Sequence, residues 1–243
     1  MSTQLQEGFK LDWEPGLGAM VFSLDMTPYL EHLPAIVAET ASDEQLAEYK
    51  KARSKLSSMV TGLAGELMWS EIESAFAKQG INIKDKSGEQ TMVSFALTRS
   101  CTELVKNSMD ALISNYLKDQ SKTTHLKIHF VPEEVDDRLF FTIEDNGGGF
   151  PDSALETYNS ALGETSLDDY QGALLTARSA KGGSKYLFGG QGAGLKMLGS
   201  VIRYGYSIGR DEEVAEFNMD GVASSMTLSN GTSGAKISMD TPL

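Results

Sequence analysis

A single cysteine, Cys101, in a chain of 243 residues excludes an intrachain disulfide framework and suits a reducing compartment. No apolar run approaches the roughly 18 residues that a membrane-spanning helix requires. Met1 to Lys10 is polar, with no basic stretch leading into an apolar one, so the pattern of a secretory leader is missing and a cytoplasmic location is expected. Proline is sparse (6 residues), and neither an internal repeat nor a low-complexity tract is present. With 40% hydrophobic and 23% charged residues, the composition is that of a folded soluble chain rather than a fibrous or disordered one. Positive charge is also short. Against 34 acidic residues stand 21 basic ones, a net charge of −13, so the surface repels phosphate polymers and anionic lipid, and nucleic acid is not an expected partner. A triphosphate can still bind if local N–H groups, a helix N-terminus and a divalent cation outweigh the distant charges.

What the chain does have is glycine, 24 residues clustered late, and length enough for one substantial core, or one nucleotide-sized domain with a helical extension. From Met26 to about Ala77 apolar residues recur three and four apart, a helical period broken near Thr40 to Glu44, where Thr40-Ala-Ser-Asp43 offers a cap for the helix that follows. Gly80 to Gln90 reads as a linker. Phe95 to Lys118 is a long helical pattern; His125 to Val131 and Leu139 to Glu144 read as strands joined by a turn over Pro132 to Arg138. Ala193 to Tyr204 is again helical, and Val214 to Asn218, Ser225 to Leu228 and Ala235 to Met239 alternate as strands do. The class implied is α+β, a mainly antiparallel or mixed sheet with helices on one face.

Three motifs carry chemistry. In Glu103-Leu-Val-Lys-Asn107-Ser-Met-Asp110-Ala111, helical geometry puts Asn107 at about +40° and Asp110 at about −20° from Glu103, so acid and amide oxygens share one narrow face. Such a face suits a hard cation with its water shell and the phosphates it bridges; taken alone, it also fits an ordinary solvated stripe. In Phe140-Phe-Thr-Ile-Glu144-Asp145-Asn146-Gly147-Gly148-Gly149-Phe150 an apolar strand ends in a carboxylate and three glycines. Asp145 can accept a hydrogen bond from an exocyclic amine such as adenine offers, and glycines let backbone approach a flat ligand; a hairpin turn is the plainer alternative. In Leu187-Phe-Gly189-Gly190-Gln191-Gly192-Ala193-Gly194-Leu195 glycines open a helical run, the usual means of holding phosphate on exposed N–H groups. This is neither a Rossmann fingerprint, since no strand directly precedes it, nor a Walker A loop, since no Gly-Lys-Ser/Thr ends it.

In this order and at these separations the motifs resemble the N, G1 and G2 boxes of the GHKL superfamily (gyrase, heat-shock chaperone, histidine kinase, MutL), from about Phe95 to the C-terminus, with Asn230-Gly231-Thr232 similar to the Gly-Thr that closes its nucleotide pocket. The resemblance implies a two-layer α/β sandwich, the Bergerat fold, over residues 91–243 with a lid at about 150–189, preceded by a mainly helical N-terminal module over 1–90 for dimerisation or partner docking. It further implies ATP and Mg²⁺ as cofactors. Asn107 would ligate the metal and Asp145 would recognise the adenine amino group. Gly147 and Gly149 would admit the base, Gly190, Gly192 and Gly194 would meet the phosphates, and Thr232 would support Asp145 through a hydroxyl or water. Asp110, Ala111 and Leu195 complete the implied nucleotide contacts, and Lys185 in the lid could reach a phosphate.

Glu103 separates the subfamilies. A carboxylate there can act as general base toward water or toward a protein acceptor, so it implies competence for phosphoryl chemistry and not its direction. The Glu-Leu-Val-x-Asn-x-x-Asp-Ala pattern looks like MutL or the heat-shock chaperone. Gly192-Ala-Gly-Leu195 and the closing strand look like a histidine-kinase catalytic domain, which is the preferred reading; an ATP-hydrolysing switch and a non-catalytic nucleotide-binding regulator are the alternatives. Of 3 histidines, His125 and His129 fall on a strand of the ATP domain, and His32, a weak phosphoacceptor candidate, lies in the helical part without the usual context; if it is not the acceptor, the substrate is a separate protein or the chain is a kinase-derived ATP switch.

Overall fold

The structure is a computed structural model describing residues 9–14, 18–63, 74, 77–78, 92–135, 138–150, 152–164, 167–174, 186–188, 206–208, 214–216, 226–232 and 234–242. Its centre is an antiparallel six-stranded sheet in the order β1-β2-β3-β4-β8-β7: β1 (Phe9–Glu14), β2 (Ala19–Asp25), β3 (His125–Val135), β4 (Arg138–Asp145), β7 (Met226–Asn230) and β8 (Ala235–Pro242). A separate two-stranded ribbon pairs β5 (Tyr206–Ile208) with β6 (Val214–Glu216). With its helices, this is the α+β architecture expected.

Side chains two residues apart along the strands make the sheet's inner face. Phe22 and Leu24 of β2 stand opposite Ile128 and Leu126 of β3, Ile143 of β4 stands opposite Ile237 of β8, and all six are at most 2% exposed. Onto this face packs a long helix, Met92–Lys118, with Val105, Met109, Leu112 and Ile113 buried at three- and four-residue spacing. Burying each such side chain contributes roughly 1.5–3 kcal/mol relative to exposure.

The first strands depart from the expected helical N-terminus. Phe9–Glu14 and Ala19–Asp25 form a hairpin that joins the main sheet through β2–β3 pairing, so the helical part begins only at Thr27. Val21-Phe-Ser-Leu24 carries that strand; Val21, Phe22 and Leu24 are all buried, so this short segment lacks the polar-apolar alternation by which a half-exposed strand is read. Next come α1 (Thr27–Leu30), α2 (Leu33–Val37) and α3 (Asp43–Leu63), with the long helix as α4. At the expected break, Ser42 Oγ accepts from Gln45 N–H (3.2 Å) while Gln45 Oε1 accepts from Ser42 N–H (2.9 Å), a capping box that starts α3.

Strand β3 continues through Pro132, where a turn was expected. Pairing with β2 stops at Phe130, so Pro132 lies on a stretch with one open edge, where a missing N–H costs no ladder bond. Between Gly149 and Gly189 the chain is not loop throughout: α5 (Asp152–Leu162) and α6 (Leu167–Leu174) are helices whose Ala161, Leu162, Tyr170 and Leu174 enter the core. Asn159 ties α5 to β7, its amide spanning Leu228 N–H (2.9 Å) and Leu228 C=O (2.7 Å). The linker expected at Gly80 to Gln90, residues 175–185 of the expected lid and the helix expected over Ala193 to Tyr204 lie outside the described residues.

Candidate nucleotide site

Asp145 closes β4 on the inner face, across from Ile128, with 7% of its surface exposed. A carboxylate at that depth needs donors. Among the described residues, Ser108 Oγ of α4 donates to Oδ2 at 2.5 Å, and the N–H groups of Gly147 and Ala235 donate to Oδ1 at 2.7 and 3.1 Å. Ser108 and Gly234 were not singled out in the sequence. Ser108 is only 1% exposed on the apolar side of α4, and its hydroxyl points into the strand end rather than to water. At Gly234 a Cβ would fall 2.1 Å from Asp145 O and 2.2 Å from Oδ1, so only glycine lets β8 come this close. The spacing Gly231-Thr-x-Gly234, beside a motif already suspected, was the available signal for it.

The triglycine loop that follows is fastened at each step by an asparagine. Asn146 substitutes for backbone pairing, accepting from Lys127 N–H and donating to His125 C=O, both at 2.8 Å. Asn115 of α4 donates to Gly147 C=O at 2.7 Å, and Asn230 accepts from Phe150 N–H at 2.6 Å and donates to Phe150 C=O at 3.1 Å. Gly149 has a φ of 84°, and a Cβ there would sit 2.7 Å from Asn230 Oδ1. A Cβ on Gly147 would meet Ser108 O at 3.0 Å and Ala111 Cβ at 3.2 Å, so α4 lies directly against the loop.

The structure thus brings Ala111, Asp145, Gly147 and Gly149 to one junction. Asn107 is half-buried on α4, beside the Ser108 that grips Asp145. Asp110 is fully buried, and its Oδ1 accepts from Phe188 N–H at 2.6 Å, so one of its oxygens holds the chain that leads into the G2 glycines. Thr232 donates its N–H to Glu144 Oε1 at 2.9 Å, and a hydroxyl that reaches Asp145 is that of Ser108. Glu103 belongs to α4, but its side chain lies outside the described residues, as do Lys185, Gly190, Gly192, Gly194 and Leu195.

The model of the family described as histidine kinase-, DNA gyrase B- and HSP90-like ATPase matches residues 81–242, well over half of the chain. The chain belongs to this family. An ATP-binding domain of the GHKL type is therefore what residues 81–242 form. Comparison with curated proteins returns no match. The donor set fits the family's ligand at the adenine end: a carboxylate at the floor of an apolar face, flanked by glycines that a Cβ would block. No cluster of three or more His, Cys, Asp or Glu side chains exists among the described residues. No helix of the described residues is long and apolar enough to cross a membrane.

Proposed function

We propose that this GHKL domain binds Mg-ATP and transfers the terminal phosphoryl group to a protein acceptor, in the manner of a histidine kinase. The observation that carries the nucleotide part is the Asp145 carboxylate, kept as an acceptor by Ser108, Gly147 and Ala235 where a purine amine would need it. In this reading Asn107 holds the metal, which supplies charge neutralisation along the phosphates. Gly190, Gly192 and Gly194 offer backbone N–H groups to them, with Lys185 and Leu195 alongside, and Glu103 takes the acceptor's proton as general base. His32 Nε2 lies 2.7 Å from Glu48 Oε2, with a side chain 16% exposed, which favours a separate protein as acceptor. The N-terminal helices are the docking or dimerisation side. The Glu103 to Ala111 pattern favours the second reading, ATP hydrolysis driving a conformational switch.

Incubation with γ-labelled ATP and magnesium separates the two. Label on a protein supports transfer, label in free phosphate supports hydrolysis, and tight binding with neither supports a regulator. Asp145→Asn is expected to weaken ATP binding by about 10- to 100-fold, the worth of a hydrogen bond to a charged group. Glu103→Ala is expected to keep the affinity and lose turnover by about 10²- to 10⁴-fold; normal turnover in that variant would refute the assigned chemistry.

A further inference from the structure

Away from Asp145, a polar cluster sits where the N-terminal helices meet the ATP domain. Tyr29 of α1 is fully buried and Tyr49 of α3 is 6% exposed, with hydroxyl oxygens 3.2 Å apart and ring centroids 5.1 Å apart. Arg53, one turn beyond Tyr49, donates from Nη1 to Tyr29 Oη (3.1 Å) and Tyr49 Oη (3.5 Å) and from Nη2 to Leu187 C=O (3.4 Å). Its guanidinium carbon lies 5.1 Å from the centre of the Phe188 ring. Tyr29 Oη in turn donates to Tyr186 C=O at 2.5 Å, and its ring stands 5.3 Å from that of Phe188.

Every one of residues 186–188 is therefore held. Tyr186 and Leu187 are gripped by their carbonyls from the N-terminal helices, and Phe188 by its ring from Arg53 and by its N–H from Asp110. In the sequence, Gly189-Gly-Gln-Gly192 comes next, and Asp110 is one turn along α4 from Asn107. Among the described residues no carboxylate pairs with Arg53. Its cation is instead committed to phenol and carbonyl oxygens and a ring face, an arrangement whose planar fork a lysine cannot reproduce. Arg53 is half-buried, and drawing a guanidinium partly out of water costs free energy that apolar packing would not. That cost is understandable if the cluster fixes a main-chain position.

We infer that Arg53, with Tyr29 and Tyr49, is a positioning residue for the phosphate and metal end of the nucleotide site: docking of α1 and α3 sets the 186–188 backbone, and through Asp110 the α4 turn carrying Asn107. The inference rests on the ATP-binding reading. Linkage is reciprocal, so whatever the N-terminal helices add to phosphate binding, bound phosphate adds to their docking.

The test compares two probes on the full chain by isothermal titration, Mg-ATP and adenosine, in wild type, Arg53→Ala, Arg53→Lys and Tyr29→Phe. Arg53→Ala is expected to lose about tenfold in ATP affinity, within the usual range of a coupling free energy, with adenosine affinity within about twofold of wild type, and Arg53→Lys is expected to fall between. Equal loss for both probes, or no loss for either, overturns the inference and leaves the ATP-binding reading standing. A wild-type chain that binds neither probe overturns both. If Arg53→Ala does not fold, Tyr29→Phe, which removes one hydroxyl, decides by the same comparison. Hydrogen exchange adds an independent readout: Mg-ATP is expected to slow exchange over Thr27–Leu30 and Asp43–Leu56 in wild type and to slow it less in Arg53→Lys, and equal slowing in the two contradicts the coupling.

Discussion

Around Asp145 the decisive quantity is how close backbone comes to a buried carboxylate. A Cβ on Gly234 meets the Asp145 main chain at 2.1 Å, which cannot move without breaking β4–β8 pairing, whereas a Cβ on Gly231 meets the Glu144 carboxyl group at 2.3 Å, the far end of a flexible side chain that also accepts from Thr232 N–H. Gly234→Ala is accordingly expected to destabilise by about 1–3 kcal/mol or more, as overpacking does, and to weaken ATP binding, while Gly231→Ala costs well under that. Urea unfolding of the two variants checks the order. A smaller loss for Gly234→Ala than for Gly231→Ala would mean that the Asp145 end of β4 is not as close to β8 as described.

Among the elements, α1 and α3 are joined to the domain through polar contacts, and this has a signature in pH. Burial first, and the hydrogen bond with Tyr49 second, push the Tyr29 phenol well above its ordinary value near 10. The folded chain thus keeps a proton that the unfolded chain gives up. The stabilisation is complete below about pH 10 and drains away as pH rises beyond it. Tyr158 carries the same sign from burial, so the contribution of Tyr29 is the difference between wild type and Tyr29→Phe. Stability measured by denaturant between pH 9 and about 11 is expected to fall more steeply in wild type; parallel curves would show that Tyr29 is not held as its contacts indicate.

For the molecule as a whole, the fold and the proposed binding site share one core. Asp145, Ser108 and Gly147 lie between α4 and the sheet, so an occupied site braces the same layers that the apolar side chains hold together. Mg-ATP at about 100 times its dissociation constant is expected to add about 2.7 kcal/mol to the unfolding free energy, and far less in Asp145→Asn at the same concentration. Thermal melts with and without nucleotide measure it, and equal shifts in the two proteins would remove Asp145 from the binding site.

Local pattern carried much of this protein. The α4 helix, the β3–β4 hairpin and its Asp145-Asn-Gly-Gly-Gly end were legible because helical and strand periods, and the glycines that punctuate them, act between neighbours in sequence. The same pattern fixed the family. It could not say that Phe9–Glu14 and Ala19–Asp25 extend the main sheet, that Asp110 turns inward to Phe188, that Ser108 supplies a hydroxyl to Asp145, or that Arg53 reaches Leu187 across 134 positions. Those were settled by tertiary structure alone. A helix face constrains which side chains point together, but what they meet depends on which distant segment packs there, and that is decided by the burial of the whole sheet rather than by any run of residues.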